Sequence, residues 1–219
     1  ETALTEKKYG LVWEEHEEEV DKQLVHNIPV FKEIEDKKIV RDNTTDFNFL
    51  LEGDNLHSLK LLDKTHKGNI DVIYIDPPYN TGNKDFIYDD SFVDKTDGYA
   101  HSKWISFMEK RIRISKRLMS DNGVIFISID DNEQAQLKLL CDSVFGESNF
   151  ESFIWKKKGG AGNTEKIVGC LTEYILCYFK KKKPGIIKYR NIDRVYKYED
   201  EIGKYNLEGI EKTNLGTYY

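Results

Sequence analysis

An acidic corner, Asp76-Pro77-Pro78-Tyr79, ends the apolar run DVIYID. Pro77 and Pro78 have fixed φ angles and no N–H groups, so their carbonyls remain as acceptors in a rigid turn. Asp76 adds a carboxylate acceptor, and Tyr79 adds a flat aromatic face. A planar ligand with an exocyclic amine matches this set, because its two N–H groups can reach a carboxylate oxygen and a carbonyl while its ring stacks on Tyr79. The corner therefore indicates a pocket for adenine or cytosine.

The chain around this corner alternates between strand and helix patterns. The apolar runs FNFLLEG (47–53), DVIYID (71–76) and GVIFISI (123–129) are each followed by a helical pattern. The first helical pattern, DNLHSLKLLD, begins with Asp54 as its cap. The second, residues 101–119, has an apolar stripe typical of an amphipathic helix. Before the third, Asp130 and Glu133 have the spacing of a capping box for a helix that continues through Val144. Right-handed crossovers would place these strands in a mostly parallel sheet with helices on both faces.

Three acidic corners follow the predicted strands. They are Gly53-Asp54, Asp76-Pro77-Pro78-Tyr79 and Asp130-Asp131. Ligands in open α/β sheets bind at the carboxyl ends of the strands, so these corners are expected to share one rim. Helix capping accounts for Asp130 and Asp131 without a ligand.

The charge of the chain is unevenly distributed. The formal net charge is −6, with 11 acids against 4 bases in residues 1–36 and 8 lysines against 2 glutamates in residues 155–183. Local patches set the field that a phosphate backbone meets, so an acidic total does not exclude DNA. Lys156, Lys157 and Lys158 precede a glycine-rich loop, and we expect them to contact DNA phosphates. The basic residues of helix 101–119 are interpreted as a solvated face.

Several classes of protein do not match the composition. No apolar run approaches the ~18 residues that span a bilayer, and residues 1–10 lack an apolar signal core, so we expect a cytoplasmic protein with no membrane contact. Cys141, Cys170 and Cys177 have no paired CxxC spacing, and His57, His66 and His101 show no metal-ligand spacing, so we expect reduced thiols and no metal.

The corner and the segments around it resemble a known family. Asp76-Pro77-Pro78-Tyr79 after an apolar strand resembles the signature of DNA methyltransferases that act on amino groups, and the acidic first residue favours adenine over cytosine. Further segments resemble type III restriction-modification Mod subunits in the same order along residues 9–183: YGLVWE, LEGDNL, HSKW, FISIDD and EYIL.

This resemblance implies a Rossmann-like, S-adenosylmethionine-dependent methyltransferase that methylates N6 of an adenine flipped out of double-stranded DNA. It implies that Asp76, Pro77, Pro78 and Tyr79 are catalytic, with Asp76 and the Pro77 carbonyl accepting from N6 and Tyr79 stacking on the base. Asp54, Asn55 and Asp76 would bind the cofactor. The predicted organisation is an N-terminal arm (1–45), a catalytic core (46–150), and the end of the core with the start of a target-recognition region (151–219).

One family feature is missing from the sequence. The family has a Phe-x-Gly-x-Gly cofactor loop downstream of the target-recognition region, and no such string occurs here. We therefore expect the sheet to be incomplete in this chain, which would be the N-terminal portion of a longer protein. The resemblance implies that the full-length protein forms a homodimer and pairs with a restriction subunit. Two alternatives remain open: a non-catalytic DNA-binding or specificity module, and a methyltransferase acting on cytosine N4 or on RNA.

Overall fold

The computed structural model describes residues 12–39, 48–88, 91–94, 96–157, 171–187, 198–199, 201 and 203–205. The chain forms two compact units, Glu1–Pro184 and Gly185–Tyr219. The second unit contains an antiparallel pair of short strands, Tyr198–Glu199 and Lys204–Tyr205.

The first unit contains four α-helices and six strands in its described residues. The helices are α1 (Glu19–His26), α2 (Asn55–Thr65), α3 (Ala100–Leu118) and α4 (Gln134–Phe145). The strands are β1 (Ile70–Ile75), β2 (Ile87–Tyr88), β3 (Ser91–Phe92), β4 (Met119–Ile129), β5 (Phe150–Lys156) and β6 (Thr172–Phe179). None of these helices is long and apolar enough to cross a membrane.

Four strands form one sheet in the order β1-β4-β6-β5. β1 pairs with β4 in parallel, and β6 is antiparallel to both of its neighbours, β4 and β5. Three of the four strands therefore run in the same direction. The predicted α/β class is confirmed. The described sheet is mixed, because the reversed strand β6 makes two of its three pairings antiparallel. Strands β2 and β3 form a separate antiparallel pair.

The core lies between one face of this sheet and helices α3 and α4. Ile125, Ile127 and Ile129 alternate along β4 and are fully buried, as strand periodicity requires of residues on one face. They share a cluster with Trp104 of α3 and Leu137 of α4. This packing fixes the starts of both helices against the end of the sheet that carries Asp76.

Gly123 of β4 lies close to the backbone of β1. A Cβ atom at this position would lie 2.9 Å from the carbonyl oxygen of Ile70 and 2.9 Å from the carbonyl oxygen of Ser120. Only glycine leaves room for the two backbones, so the side chain here is excluded by contact rather than by an unusual φ angle.

Two predictions about the sheet are wrong. Residues 48–52 contain no strand, and Phe49 and Leu50 are exposed, because no described strand pairs with the FNFLLEG run. The expected burial of β1 on both faces is also not seen: Val72 and Tyr74 are 61% and 62% exposed. Within the described part of the chain, β1 is an edge strand of the sheet.

The N-terminal segment is attached to the core by a buried ion pair. The segment WEEHEEEVDKQL (13–24) has a helical composition, but helix α1 begins only at Glu19, and the residues before it bond to α3 through Ser106 and Lys110. The carboxylate of Glu18 accepts from both terminal nitrogens of Arg111, at 2.9 and 3.0 Å. Both side chains are about nine-tenths buried. The arm is therefore held by a specific contact rather than by solvated charge alone.

Two of the three thiols lie in this core. Cys141 and Cys177 are buried and free, and burial raises the pKa of both thiols. This agrees with the prediction of reduced structural cysteines, while Cys170 lies outside the described residues.

Candidate active site

The acidic corner begins where β1 ends, and it opens into a cleft of about 390 Å³. Such a volume is within the range of small-ligand pockets. Seven side chains line the cleft: Asp76, Pro77, Tyr79, Thr81, Asp85, Lys157 and Glu173. Three of them are carboxylates and one is an ammonium group. The cleft therefore favours groups that donate hydrogen bonds and repels phosphate.

The structure distinguishes the two proline carbonyls. The indole Nε1 of Trp104 donates to the carbonyl oxygen of Pro78 at 2.7 Å, and Trp104 is completely buried in the core. No donor within the described residues bonds to the carbonyl of Pro77. Asp76 and Pro77 both line the cleft, and Pro78 anchors the corner to α3.

Tyr79 is partly buried at the junction of the core and the cleft. Burial raises the pKa of its phenol, and the negative charges of Asp76 and Glu173 raise it further, as does a hydrogen bond to Asp76. The phenol is therefore neutral at physiological pH. A neutral ring beside a carboxylate is suited to stacking on a base without adding charge to the pocket.

The predicted DNA-contacting lysines are in different environments. Lys157 follows β5, lines the cleft, and forms an ion pair with Glu173 of β6. Lys156 lies opposite Thr172 in the strand register and does not line the cleft. Lys158 lies outside the described residues. Of the three predicted lysines, Lys157 is therefore the one seen to line the cleft, where Glu173 compensates its charge.

Most of the basic residues of α3 are paired with acids; Lys116 instead donates to the carbonyl oxygen of Val144. Lys103 contacts Asp97 at 2.6 Å, Arg113 contacts Glu109 at 2.7 Å, and Arg117 contacts Asp63 at 2.9 Å. Lys110 contacts Asp21 of the arm, and this pairing lowers the pKa of Asp21 although burial opposes the shift. The basic face thus packs against acidic side chains of the same unit.

A buried carboxylate supports the corner from behind. Asn80, the residue after Tyr79, donates to Glu133 Oε1 at 2.5 Å, and His101 Nδ1 is 2.7 Å from the same oxygen. Glu133 is completely buried. Burial raises the pKa of Glu133, while the contacts with Asn80 and His101 act in the opposite direction.

The predicted capping box at the start of α4 is wrong. Glu133 occupies the N-cap position, but its side chain makes no capping hydrogen bond. Asp130 instead accepts from the backbone N–H and side-chain amide of Asn132, at 2.9 and 2.7 Å. The competing interaction is the contact of Glu133 with Asn80 and His101, which draws the side chain away from the helix terminus.

Asp54 and Asn55 lie at the start of α2, beside a second cavity of about 330 Å³. Asp54 Oδ1 caps the helix by accepting from Leu56 N at 2.8 Å and His57 N at 3.0 Å, which confirms the predicted cap. The cavity is lined by Asp54 and by apolar arm residues, but not by Asn55 or Asp76. The side-chain Oδ1 of Asn55 accepts from Arg111 Nε at 2.6 Å.

Comparison with known proteins identifies the family. Residues 70–216, about two-thirds of the chain, match the DNA methylase family whose members act on amino nitrogens N6 or N4. This chain belongs to the DNA methylase family. The match includes the acidic corner, the lysine segment and the buried Glu133.

The DNA methylase is also similar to curated proteins. It is 37% identical over 177 residues to the type III restriction-modification enzyme StyLTI Mod subunit of Salmonella typhimurium, which covers 71% of this chain and 27% of that protein. It is 38% identical over 161 residues to the type II methyltransferase M.KpnI of Klebsiella pneumoniae, covering 72% and 38%. The chain thus spans between about a quarter and two-fifths of the length of these relatives.

Solved structures give weaker similarity. The complex of M1.HpyAVI with SAM aligns with a TM-score of 0.38 and 19% identity, covering 64% of this chain and 60% of that one. The PvuII cytosine-N4-specific DNA methyltransferase aligns with a TM-score of 0.41 and 15% identity, covering 57% and 48%.

Sequence reasoning missed several side chains around the pocket of the DNA methylase. The sequence places Trp104 only within the amphipathic stripe of residues 101–119 and the HSKW segment, and Glu133 only in a capping box. Their partners are 26 and 53 residues away along the chain, so no local spacing pattern could reveal the contacts. The pairing of Glu173 with Lys157 bridges 16 residues and depends on how β5 and β6 pair.

Proposed function

We propose that this DNA methylase transfers a methyl group from S-adenosylmethionine to N6 of an adenine extruded from double-stranded DNA, as part of a restriction-modification system. The observation that carries the proposal is the pair of acceptors formed by Asp76 and the Pro77 carbonyl, beside the ring of Tyr79 in an otherwise acidic cleft. The relatives named as Mod subunits support the adenine substrate and the restriction-modification setting.

Asp76 and Pro77 would act on the amine of the base. The N6 lone pair is delocalised into the purine ring, so the amine is a poor nucleophile. Two acceptors that bind its N–H groups favour a tetrahedral nitrogen and return electron density to it. Because Trp104 holds the neighbouring Pro78 carbonyl, these acceptors are oriented before the base enters, and preorganised acceptors are more effective than mobile ones.

Tyr79 would hold the extruded base by stacking, as aromatic side chains do in other enzymes that act on flipped bases. The acidic lining would keep the phosphate backbone outside the cleft while the base enters. Lys156, Lys157 and Lys158 would contact that backbone at the rim. DNA would then compete with Glu173 for Lys157.

The start of α2 fits the adenosine portion of the methyl donor. Asp54 uses Oδ1 for the helix cap, and no described residue donates to Oδ2, so this oxygen can accept from an exocyclic amine. The apolar residues beside it suit a purine ring. The side-chain Oδ1 of Asn55 is bound by Arg111, so Asn55 would contribute through its side-chain N–H groups. When bound, the donor supplies an electrophilic methyl group on sulfur.

We further propose that the complete protein forms a homodimer and pairs with a restriction subunit. The relatives that carry this similarity are subunits of restriction-modification enzymes. The exposed edge of β1 leaves space for further strands of the sheet.

The test uses the protein expressed from its complete reading frame. It is incubated with S-adenosylmethionine and duplex DNA, and the DNA is digested to nucleosides and analysed by mass spectrometry. We expect N6-methyldeoxyadenosine from the wild type and at least a ~100-fold loss from Asp76→Ala, the size of effect seen when a preorganised electrostatic contact is removed. DNA binding, measured by fluorescence anisotropy, should be preserved.

The matched control is Asp121→Ala, which removes an exposed carboxylate paired only with Lys181. It should leave methylation unchanged. N4-methyldeoxycytidine as the product would overturn the adenine assignment. DNA binding without any methyl transfer by the wild type would instead favour a specificity module.

A further inference from the structure

The buried carboxylate of Glu133 has no role in the chemistry proposed above, yet it contacts the residue that follows the acidic corner. Its side chain is fully buried, and Oε1 is shared by Asn80 and His101. The other oxygen, Oε2, has no hydrogen-bond partner among the described residues. A buried acid with an unsatisfied oxygen is costly, so its retention calls for a specific function.

Asn80 has an unusual backbone conformation. Its φ angle is +56°, in the left-handed region that residues with a Cβ atom rarely adopt. The side-chain amide donates to Glu133 Oε1 at 2.5 Å and to the carbonyl of Ala100 at 3.4 Å. The side chain of Asn80 is therefore bound by residues at the starts of both α3 and α4. This contact lies one residue beyond Tyr79 and two beyond Pro78, which Trp104 anchors.

Helix capping does not explain Glu133. The residue stands at the N-cap of α4, but its side chain accepts no bond from the first turn. Its partners come from other elements, at distances of 53 and 32 residues along the chain. The side chain therefore acts on the corner and not on its own helix.

We propose that Glu133 is a positioning residue for the base pocket: it holds Asn80 in the left-handed conformation and thereby fixes the orientation of Tyr79 and the Asp76–Pro77 acceptor pair. The inference rests on the proposed methyl transfer, because it assigns a role within that same site. Glu133 acts through Asn80 and does not touch the base.

The chemistry of the contact predicts which substitutions are tolerated. Asn80 needs one acceptor oxygen, and glutamine supplies it in the same place. Leucine has a similar size but no acceptor. Glu133→Gln should therefore retain methylation within about threefold, whereas Glu133→Leu should lower kcat by about 10- to 100-fold, the range expected for a small misplacement of reacting groups. KM for DNA should change little, because the lysines that meet the phosphates are untouched.

The experiment measures kcat and KM for DNA methylation by the protein expressed from its complete reading frame, normalised to the folded fraction from thermal unfolding. Asp142→Leu is the matched control. Asp142 is a mostly buried carboxylate on the same helix, but it bonds Tyr178 and Lys138 rather than the corner. This variant should lower stability and leave kcat per folded molecule unchanged.

A second set of variants at Asn80 keeps the test decisive if Glu133→Leu folds poorly. Glycine adopts a positive φ without strain, whereas alanine does not. Asn80→Gly should therefore retain most of the activity and Asn80→Ala should lose about tenfold or more. In the Asn80→Gly background, Glu133→Leu should cost less than threefold, since the conformation no longer depends on the carboxylate.

The outcomes separate this inference from the proposed function. A wild type that transfers no methyl group would refute the proposed function itself. An active wild type with unchanged kcat in Glu133→Leu, or with equal losses in Asn80→Gly and Asn80→Ala, would refute the positioning role alone. Equal losses in Glu133→Gln and Glu133→Leu would show that the charge of Glu133, not its acceptor oxygen, matters, and would also overturn the inference.

Discussion

The buried pair of Glu18 and Arg111 gives a prediction whose size follows from the structure. Arg111 donates two hydrogen bonds to the Glu18 carboxylate, at 2.9 and 3.0 Å, and both side chains are about nine-tenths buried. Breaking a buried ion pair from one side costs about 3–5 kcal/mol, because the remaining charge is uncompensated. Glu18→Gln keeps one acceptor, so we expect a smaller cost, about 2–3 kcal/mol, similar to the loss of a charge-assisted hydrogen bond.

For a chain of this size, 1 kcal/mol shifts Tm by about 2–4 °C, so Glu18→Gln should lower Tm by about 4–12 °C. The assay is thermal unfolding followed by circular dichroism. Glu19→Gln is the control, because Glu19 is half exposed and its 3.4 Å pair with Lys22 lies on the surface. Exposed pairs contribute less than about 1 kcal/mol, so this variant should shift Tm by only a few degrees at most.

The reasoning is refuted if Glu18→Gln and Glu19→Gln shift Tm equally. A double variant sharpens the test, because two residues in direct contact are expected to show a coupling energy of about 0.5–3 kcal/mol. Replacing Glu18 and Arg111 together with methionine should therefore cost less than the sum of the two single replacements. Strict additivity would mean that the arm is held by other contacts.

Three further predictions concern separate parts of the first unit. Gly123→Ala should destabilise the protein by about 1–3 kcal/mol through overpacking, while Gly98→Ala, where the structure leaves open space, should have little effect in the same unfolding assay. Lys157→Ala should reduce the salt dependence of DNA binding by about one counterion in titrations at increasing salt, with Lys22→Ala unchanged. Burial raises the pKa of Glu133 above its ordinary 4.5, so the protonated acid stabilises the fold at low pH and this contribution is lost as pH rises through the folded-state pKa. The Tm of Glu133→Gln relative to the wild type should therefore increase between pH 4 and pH 8, and a constant difference would contradict the shift.

Features set by neighbouring residues could be predicted from the sequence. The cap at Asp54 depends on bonds two and three residues away, and the stripe of α3 depends on helical periodicity alone. The rigid corner at Asp76 follows from the fixed geometry of proline. Each of these signals is complete within one turn or one element, so the pattern and the structure agree.

Features set by distant partners could not be predicted. The run at 47–53 has the composition of a strand, but a strand needs a partner for its hydrogen bonds, and residues 48–52 have none among those described. Asp130 and Glu133 have the spacing of a capping box, but Glu133 is drawn to Asn80 and His101 instead. The same spacing is compatible with both arrangements, and only the packing of α3 against α4 decides between them.

These contacts explain why β1 ends in two prolines rather than in a glycine turn. A glycine turn would add N–H donors, which would compete with an incoming amine for the acceptors, and its backbone would be free to rotate. Proline removes both the donors and the freedom, but it also removes the hydrogen bonds that would hold the corner in place. Trp104 on one side and the Asn80–Glu133 contact on the other replace them with side-chain hydrogen bonds from two helices. The Pro77 carbonyl thus has no donor among the described residues, and the corner that carries it is fixed in direction, as an electrostatically preorganised pocket requires.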